Sequence, residues 1–423
     1  MGVMRRREFL RRGALAAGAA SWQARGLSAA VDSPRVVVIG AGFAGGACAL
    51  QLRRVNPSLH ITLIDPDLRY VTCPMSSAVL VDLRSMGSIT VTRAGMRRAG
   101  VHYRGERVTA IDPGKRRVRL RGGGEIGYDR LVVAPGIRLL FGTPEGYDAA
   151  AALRMPHAWQ AGAQTQLLAA QLHSMSDGGT VAISVPTGLM RCPPGPYERA
   201  SLIAHWLKQH RPRSKVLLFD ANNQFPRQDL FTAAWQELYP GMIEWIPPAE
   251  GGAVMRVDVR TSTLYTASGA HRVALANIIP PQAPGQLALD AGLASGHGWC
   301  PVKPASFESE LMDNVHVIGD ACIAGAMPKA ASAAHSQAVQ CAAAIAAAFE
   351  GRAAPVADLD SVCYSLLGRE TALAMRGRYE LAEGEIRQVK PVATQTPDQA
   401  PSAQHLTEAA AWYAQIRAEC FAS

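Results

Sequence analysis

The sequence predicts an α/β fold: two Rossmann-like dinucleotide-binding domains followed by a C-terminal α+β domain. Three observations carry this. Two separate stretches read as strand–turn–helix–strand, one from Arg35 ("RVVVIGAGFAGGACALQLRRVNPSLHITLIDPD"), the other from "GGTVAISV" to "KVLLFD", ending at Asp220. A further strand ends in Gly319-Asp320 and runs into a long Ala-rich helix. Strands alternating with helices build parallel sheets covered on both faces. At 423 residues the chain is long for one core. The expected division is a leader at 1–30, a first domain split between 31–145 and 276–345, an inserted second domain at 146–275, and a C-terminal interface domain at 346–423.

The opening "MRRREFLRRGALAAGAASW" has a basic start, a short apolar run and then small residues. That is the layout of an export signal, and Arg6-Arg7 before Glu8-Phe9-Leu10 resembles the twin-arginine type. Ser28-Ala29-Ala30 supplies a cleavage-like site. The apolar run falls far short of the roughly 20 residues that a spanning helix needs. Residues 1–30 carry six arginines and one glutamate, so the net charge of +9 falls to about +4 without them. That balance gives no case for nucleic acid or a membrane surface as partner. The expected location is the periplasm, reached folded. Eight cysteines are present, with no zinc-type CxxC and no CxxCH, so the chain attaches no c-type haem itself.

The first strand–turn–helix unit carries Gly40-Ala41-Gly42-Phe43-Ala44-Gly45. Gly40 permits the tight turn, Gly42 lets a pyrophosphate approach the backbone, and Gly45 lets helix pack on strand. The helix N-terminus favours phosphate charge. Asp65, ending the next strand, has the spacing of a carboxylate that grips a ribose hydroxyl. "YDRLVVAPGI" ends in Ala134-Pro135-Gly136, and "DNVHVIGDACIAGAMPKAASAAHSQAVQCAAAI" contains Gly319-Asp320. These two resemble the further FAD signatures of the two-dinucleotide-domain, glutathione-reductase-like flavoproteins. In that group the aspartate contacts the ribityl–phosphate region and the next helix points at the flavin. Lys329, near the start of that helix, could assist or simply be solvated.

The second unit lacks a Gly-rich loop and reads "PTGLMRCPPGPYE". Pro193, Pro194 and Pro196 remove N–H donors that a phosphate would need. NADH or NADPH is therefore not expected as electron donor. Pro196 suits a helix start and Glu198 its first turn. By residue pattern alone, Cys192 and Glu198 fit a site or a buried thiol with a helix-end charge equally well.

Taken together, the export signal, "YVTCPMS", "RCPPGPYERAS", "IGDACIAGAMPKAASAAHSQAVQCAAAI", "SVCYSLL" and "AWYAQI" resemble the flavoprotein subunits of flavocytochrome c sulfide dehydrogenase, relatives of sulfide:quinone reductase. The resemblance implies FAD joined to Cys73 through its 8α-methyl, and a redox-active disulfide matching Cys192 and Cys363. Cys300, Cys322 and Cys341 remain rival partners for Cys192. It further implies Glu198 as acid–base group, sulfide or polysulfide as substrate, and a c-type cytochrome subunit, in a heterodimer, as electron acceptor. The docking face would lie beyond about residue 346, with Trp412 and Tyr413 either there or in the core. The basic run Arg93–Arg121 could steer an acidic partner, but reads first as a solvated hairpin face. Two other functions fit the same residues: a sulfide:quinone reductase, and a flavoprotein that reactivates a sulfur-oxidation partner without turnover.

Overall fold

A computed structural model of the protein describes residues 33–294, 298–356, 358–389 and 400–423. The expected leader at 1–30 lies outside the described residues. The first unit contains β1 (Arg35–Ile39), α1 (Phe43–Val55), β2 (His60–Ile64), β3 (His102–Arg104) and β4 (Arg130–Val133). The second contains β5 (Thr180–Val185), α2 (Gly195–His210), β6 (Lys215–Asp220), β7 (Ile243–Ile246) and β8 (Leu275–Ile278). The chain returns to the first unit with β9 (Val315–Val317) and α3 (Ala331–Phe349). It finishes with β10 (Leu359–Leu366), β11 (Ala372–Ala382), β12 (Glu385–Gln388) and α4 (Ala403–Phe421).

The first sheet is parallel, in the order β9-β4-β1-β2-β3. Its central strand is apolar almost throughout, with Val36 to Ile39 buried, because helices and loops cover both faces. Chain order reverses on either side of β1, which opens a crevice beyond the carboxyl ends of β1 and β4. Gly40, Ala134 and Gly319 all stand at those strand ends. The second sheet is also parallel, ordered β7-β6-β5-β8. Since β8 pairs with β5, the inserted domain runs to Ile278, and the boundary expected at 275/276 falls inside a strand. The antiparallel ladder β10-β11-β12 forms a third sheet, the strand-and-helix C-terminal region expected.

α1 and α3 pack along each other through small side chains, among them Ala44, Ala47, Ala334, Ala338 and Ala342. The end of α4 joins the same core. Phe421 meets Phe43 edge-on at 5.1 Å and Tyr70 at 5.6 Å, and a Cβ at Gly46 would overlap the Cys420 carbonyl oxygen. A separate core surrounds the second sheet and takes in Tyr413. Among the described residues no helix is long and apolar enough to cross a membrane, and no group of acids, cysteines and histidines could hold a metal ion.

Candidate active site

The first turn explains its glycines directly. Gly40 adopts a φ of +90°, which side chains with a Cβ rarely accept, and a Cβ there would overlap the Ala134 carbonyl oxygen. A Cβ on Gly45 would overlap the Gly40 carbonyl oxygen. Behind them, α1 begins at Gly42 with no side-chain cap and no acid in its first turn. Its unpaired N–H groups and positive end stay available to an anion. The Asp65 carboxylate accepts the N–H of Ala41 at 2.8 Å and that of Asp67 at 2.9 Å, bracing this loop. A cavity leads on from here, lined by Gly42, Phe43, Ala44, Tyr70, Ala134, Gly136, Gly319 and Asp320. Pro135 turns away from it and packs on Gly285. An elongated ligand with a central pyrophosphate fits this shape and donor set.

The cavity walls also include Cys73, Pro74 and Arg191, and the same three residues line a second cavity. Into that second space project Cys192, Glu198, Cys363, Trp159 and Trp412, with Ala330 and Ala331 at the start of α3. Three hydrogen bonds hold the contributing segments together. The Cys192 N–H donates to the Lys329 carbonyl at 2.7 Å. The Leu366 N–H donates to Glu198 Oε1 at 3.2 Å, tying α2 to β10. The Val362 N–H donates to Ser332 Oγ at 3.0 Å, tying β10 to α3. Cys192 itself sits at φ +54°, the left-handed region, and its carbonyl accepts the Gly195 N–H at 2.8 Å. A Cβ on Gly195 would stand 3.1 Å from the Cys192 sulfur and 2.8 Å from Trp159 Cη2. The proline turn is thus a shaped seat for one thiol.

Burial dominates the electrostatics. It raises the Glu198 carboxyl from 4.5 to about 7, opposed by the Leu366 N–H and Arg199. It pushes the Cys363 thiol up to about 12, with Glu198 adding to the effect. The Cys192 thiol is also pushed well up, by burial first, then by Cys363 and Glu198; Arg191 acts the other way. Burial raises Asp320 too, opposed by Arg191 and Lys329. Lys329 is not solvated: its ammonium donates to the Asp320 and Cys322 carbonyls at 2.8 and 2.9 Å and lies 3.8 Å from the Trp299 ring centre.

All eight cysteines are free thiols in this structure, so the expected Cys192–Cys363 bond is not formed here, although both residues line one cavity. The rival partners are engaged elsewhere. Cys300 and Cys322 face each other across a short parallel pair, and Cys341 is buried in the core of the first unit with Cys48. Cys73 stands at the junction of the two cavities, with its sulfur 3.7 Å from the Trp159 carbonyl.

The equivalent second nucleotide position is filled by protein. Asp220, fully buried, accepts the Tyr197 hydroxyl at 2.6 Å and the Trp245 N–H at 2.9 Å on one oxygen, and Asn222 on the other. Tyr197 stacks on Phe225 with ring centres 3.8 Å apart. Glu198 lies in the first turn of α2 and Pro196 is its second residue, so neither charge nor donors favour phosphate.

Comparison with known proteins places the chain. The family model for the sulfide dehydrogenase [flavocytochrome c] flavoprotein chain, central region, matches residues 165–280. The model for the flavocytochrome c sulphide dehydrogenase flavin-binding region matches 355–421. Residues 34–160 match pyridine nucleotide-disulphide oxidoreductases. The sulfide dehydrogenase [flavocytochrome c] flavoprotein chain of Chlorobaculum thiosulfatiphilum is 51% identical over 45 residues, 11% of this chain and 94% of that sequence. The chain belongs to the flavocytochrome c sulfide dehydrogenase flavoprotein family.

As a member of that family it takes FAD as cofactor, and the uncapped α1, the glycine turn and the paired cavities fit it. The chain is also 32% identical over 184 residues to the sulfide-quinone reductase of Aquifex aeolicus, a match spanning 43% of this chain and 41% of that one. Among solved structures, the sulfide:quinone oxidoreductase of Aquifex aeolicus superposes with a TM-score of 0.72 at 18% identity, covering 92% of this chain and 93% of that one. Putidaredoxin reductase, in its covalent complex with putidaredoxin, gives 0.65 at 17% identity, with 81% of each chain covered. These likenesses show the fold, with its two dinucleotide-binding domains.

Several residues of the site escape the sequence reading. Arg93 belongs to no solvated face: it is 2% exposed, donates to the Ala41 carbonyl at 2.6 Å and lies 3.7 Å from Asp65. Tyr413 is a core residue whose hydroxyl meets Thr72 at 2.6 Å, while Trp412 packs on Tyr364 and lines the inner cavity. Trp159 contributes from a segment without motif character, and Arg199 from within "RCPPGPYERAS", where nothing set it apart. Arg191 was visible in the motif, adjacent to Cys192, and its role had to await the cavities.

Proposed function

We propose that the protein is a periplasmic sulfide dehydrogenase, which oxidises sulfide through a Cys192–Cys363 redox pair and FAD and passes electrons singly to a c-type cytochrome subunit. The observation that carries this is the convergence of Cys73, of Cys192 with Glu198, and of Cys363, from three distant segments, on connected cavities beside the glycine turn.

The chemistry starts from the oxidised pair. HS⁻ attacks one sulfur of the disulfide; the Cys–Cys bond breaks and a persulfide and a thiolate form. A second HS⁻ takes the outer persulfide sulfur as HSS⁻, leaving two cysteine sulfurs to reclose. The balance is 2 HS⁻ → HSS⁻ + H⁺ + 2 e⁻. Bound FAD supplies the two-electron acceptor and can release electrons one at a time. Glu198, with its carboxyl near 7, is suited to take and return the proton at the cysteine sulfurs. The position of Cys73 at the junction of the cavities supports its forming the thioether to the flavin 8α-methyl. The leader at 1–30 supports export by the twin-arginine route, which carries folded proteins and so suits a chain that must first acquire a cofactor.

The test is anaerobic addition of sulfide to the purified flavoprotein. The flavin band bleaches in the wild type; in Cys192→Ser and Cys363→Ser it bleaches no faster than free FAD. Flavin that stays yellow with an intact disulfide overturns the proposal in favour of a non-turnover binding role. Mass spectrometry of the denatured, non-reduced protein checks the flavin on Cys73 and the cysteine link together, and Cys73→Ser should release its flavin on denaturation. The likeness to sulfide:quinone reductases favours a quinone as the second candidate acceptor; faster reoxidation by a quinone than by cytochrome c would select it.

A further inference from the structure

Three cations reach the inner part of the site, and they differ in how fully they are engaged. Arg199 is 3% exposed and donates to the His157 and Ala158 carbonyls and to Asn277 Oδ1, at 2.8 to 3.1 Å. Lys329 is held by two carbonyls and the Trp299 ring. Arg191 is different. It is the one cation that lines both cavities among the described residues. Of its five side-chain N–H donors, a single hydrogen bond is made, from Nη2 to the Trp159 carbonyl. No carboxylate lies within ion-pair distance of it among the described residues. Its backbone is fixed, since its N–H donates to Gln282 Oε1 at 2.9 Å and the next N–H, of Cys192, to Lys329.

The acidic groups around it favour its charge without taking its donors. Glu198 and Asp320 are the carboxylates of the site, and burial raises both toward the neutral form. Burial alone would lower Arg191, yet Cys73, Asp320, Tyr70 and Cys192 together hold it above its usual value. A fixed guanidinium with spare donors, in a water-poor space facing thiols, is a receptor for a small anion.

We propose that Arg191 is the substrate-binding residue of this site, holding the sulfur anion HS⁻ in the cavity shared by Cys192 and Cys363. The inference rests on the sulfide reading of the site, but the receptor can be measured without turnover. Thiocyanate is an unreactive monovalent sulfur anion. Titrated calorimetrically into the flavin-loaded protein, it should bind the wild type and compete with sulfide. Loss of a charge-assisted hydrogen bond should weaken thiocyanate about ten-fold or more in Arg191→Gln, with a parallel rise in KM for sulfide. Arg191→Lys keeps the charge without the planar fork and should fall between, and it carries the test alone if Arg191→Gln does not fold. Unchanged thiocyanate affinity in a folded variant overturns the proposal. So does loss of FAD at unchanged thermal stability, which would make Arg191 a cofactor residue. If the wild type binds thiocyanate but sulfide leaves the flavin oxidised, the receptor stands and the sulfide reading falls.

Discussion

The turns after β1 and β5 occupy equivalent places in two Rossmann-like units, yet they do opposite work. After β1, Gly40 and Gly45 let the turn close tightly on Ala134 and on itself, and α1 begins with free N–H groups. After β5, prolines strip donors from the turn, Glu198 places an acid in the first turn of α2, and Cys192 takes a left-handed conformation. The acids that follow diverge in the same way. Asp65 is partly exposed and braces a loop at the mouth of a cavity. Asp220 is sealed under Tyr197 and Trp245. The topology of a dinucleotide site thus survives where its binding has gone, because sheet and helix packing do not depend on the turn's donors. The freed turn can carry a reactive side chain to the point where the two units meet.

Mutations at matched positions sharpen this contrast. The largest effect is expected at Gly40→Ala, which combines a positive φ with overlap on the Ala134 carbonyl: about 3 kcal/mol of stability and most of the bound FAD. Its counterpart Gly195→Ala presses on side-chain atoms of Trp159 and Cys192 that can shift, so it should cost about 1 kcal/mol and keep its FAD. Urea unfolding and flavin absorbance measure both; equal losses of FAD would break the contrast. Next in size is Asp220→Ala, which strands two buried donors and should destabilise by about 2 kcal/mol. Asp65→Ala should instead lower FAD content, and it should also lower the unfolding midpoint by leaving the buried Arg93 without its carboxylate.

The smallest effect concerns Glu198. Its folded value near 7 lies above its ordinary 4.5, so the native state binds the proton more tightly than the unfolded chain does. Native stability therefore declines as pH rises from about 4.5 to 7, and the deficit is complete above that. Glu198→Gln should melt a few degrees higher than wild type at pH 8 and at the same temperature at pH 4. Glu198→Gln melting below wild type at pH 8, with the difference closing toward pH 4, would show that the folded state stabilises the carboxylate.

The first nucleotide site was legible because its chemistry is local: strand, glycines, helix and acid lie within about thirty residues, and each local preference agrees with the fold. The loss of the second was legible for the same reason, since prolines act where they stand. The sulfur site was not. Cys192 and Cys363 are 171 positions apart in the chain, and nothing in either neighbourhood distinguishes a reactive thiol from a packed one. Only family resemblance paired them, and only the cavity brings them together. Arg93 misled because a run of arginines averages out as solvated, while one member turned inward to the glycine loop. The boundary expected at 275/276 falls within β8, whose short apolar run carries no signal of the sheet it joins.

The contact between α4 and α1 sets an order of events in synthesis. Phe43 and Gly46 emerge from the ribosome nearly four hundred residues before Phe421 and Cys420, which close over them. Throughout that interval this seam of α1 is not yet covered by α4. Completion of the first core thus waits for the last helix, and a chain cut before Ala403 should leave that face of α1 bare.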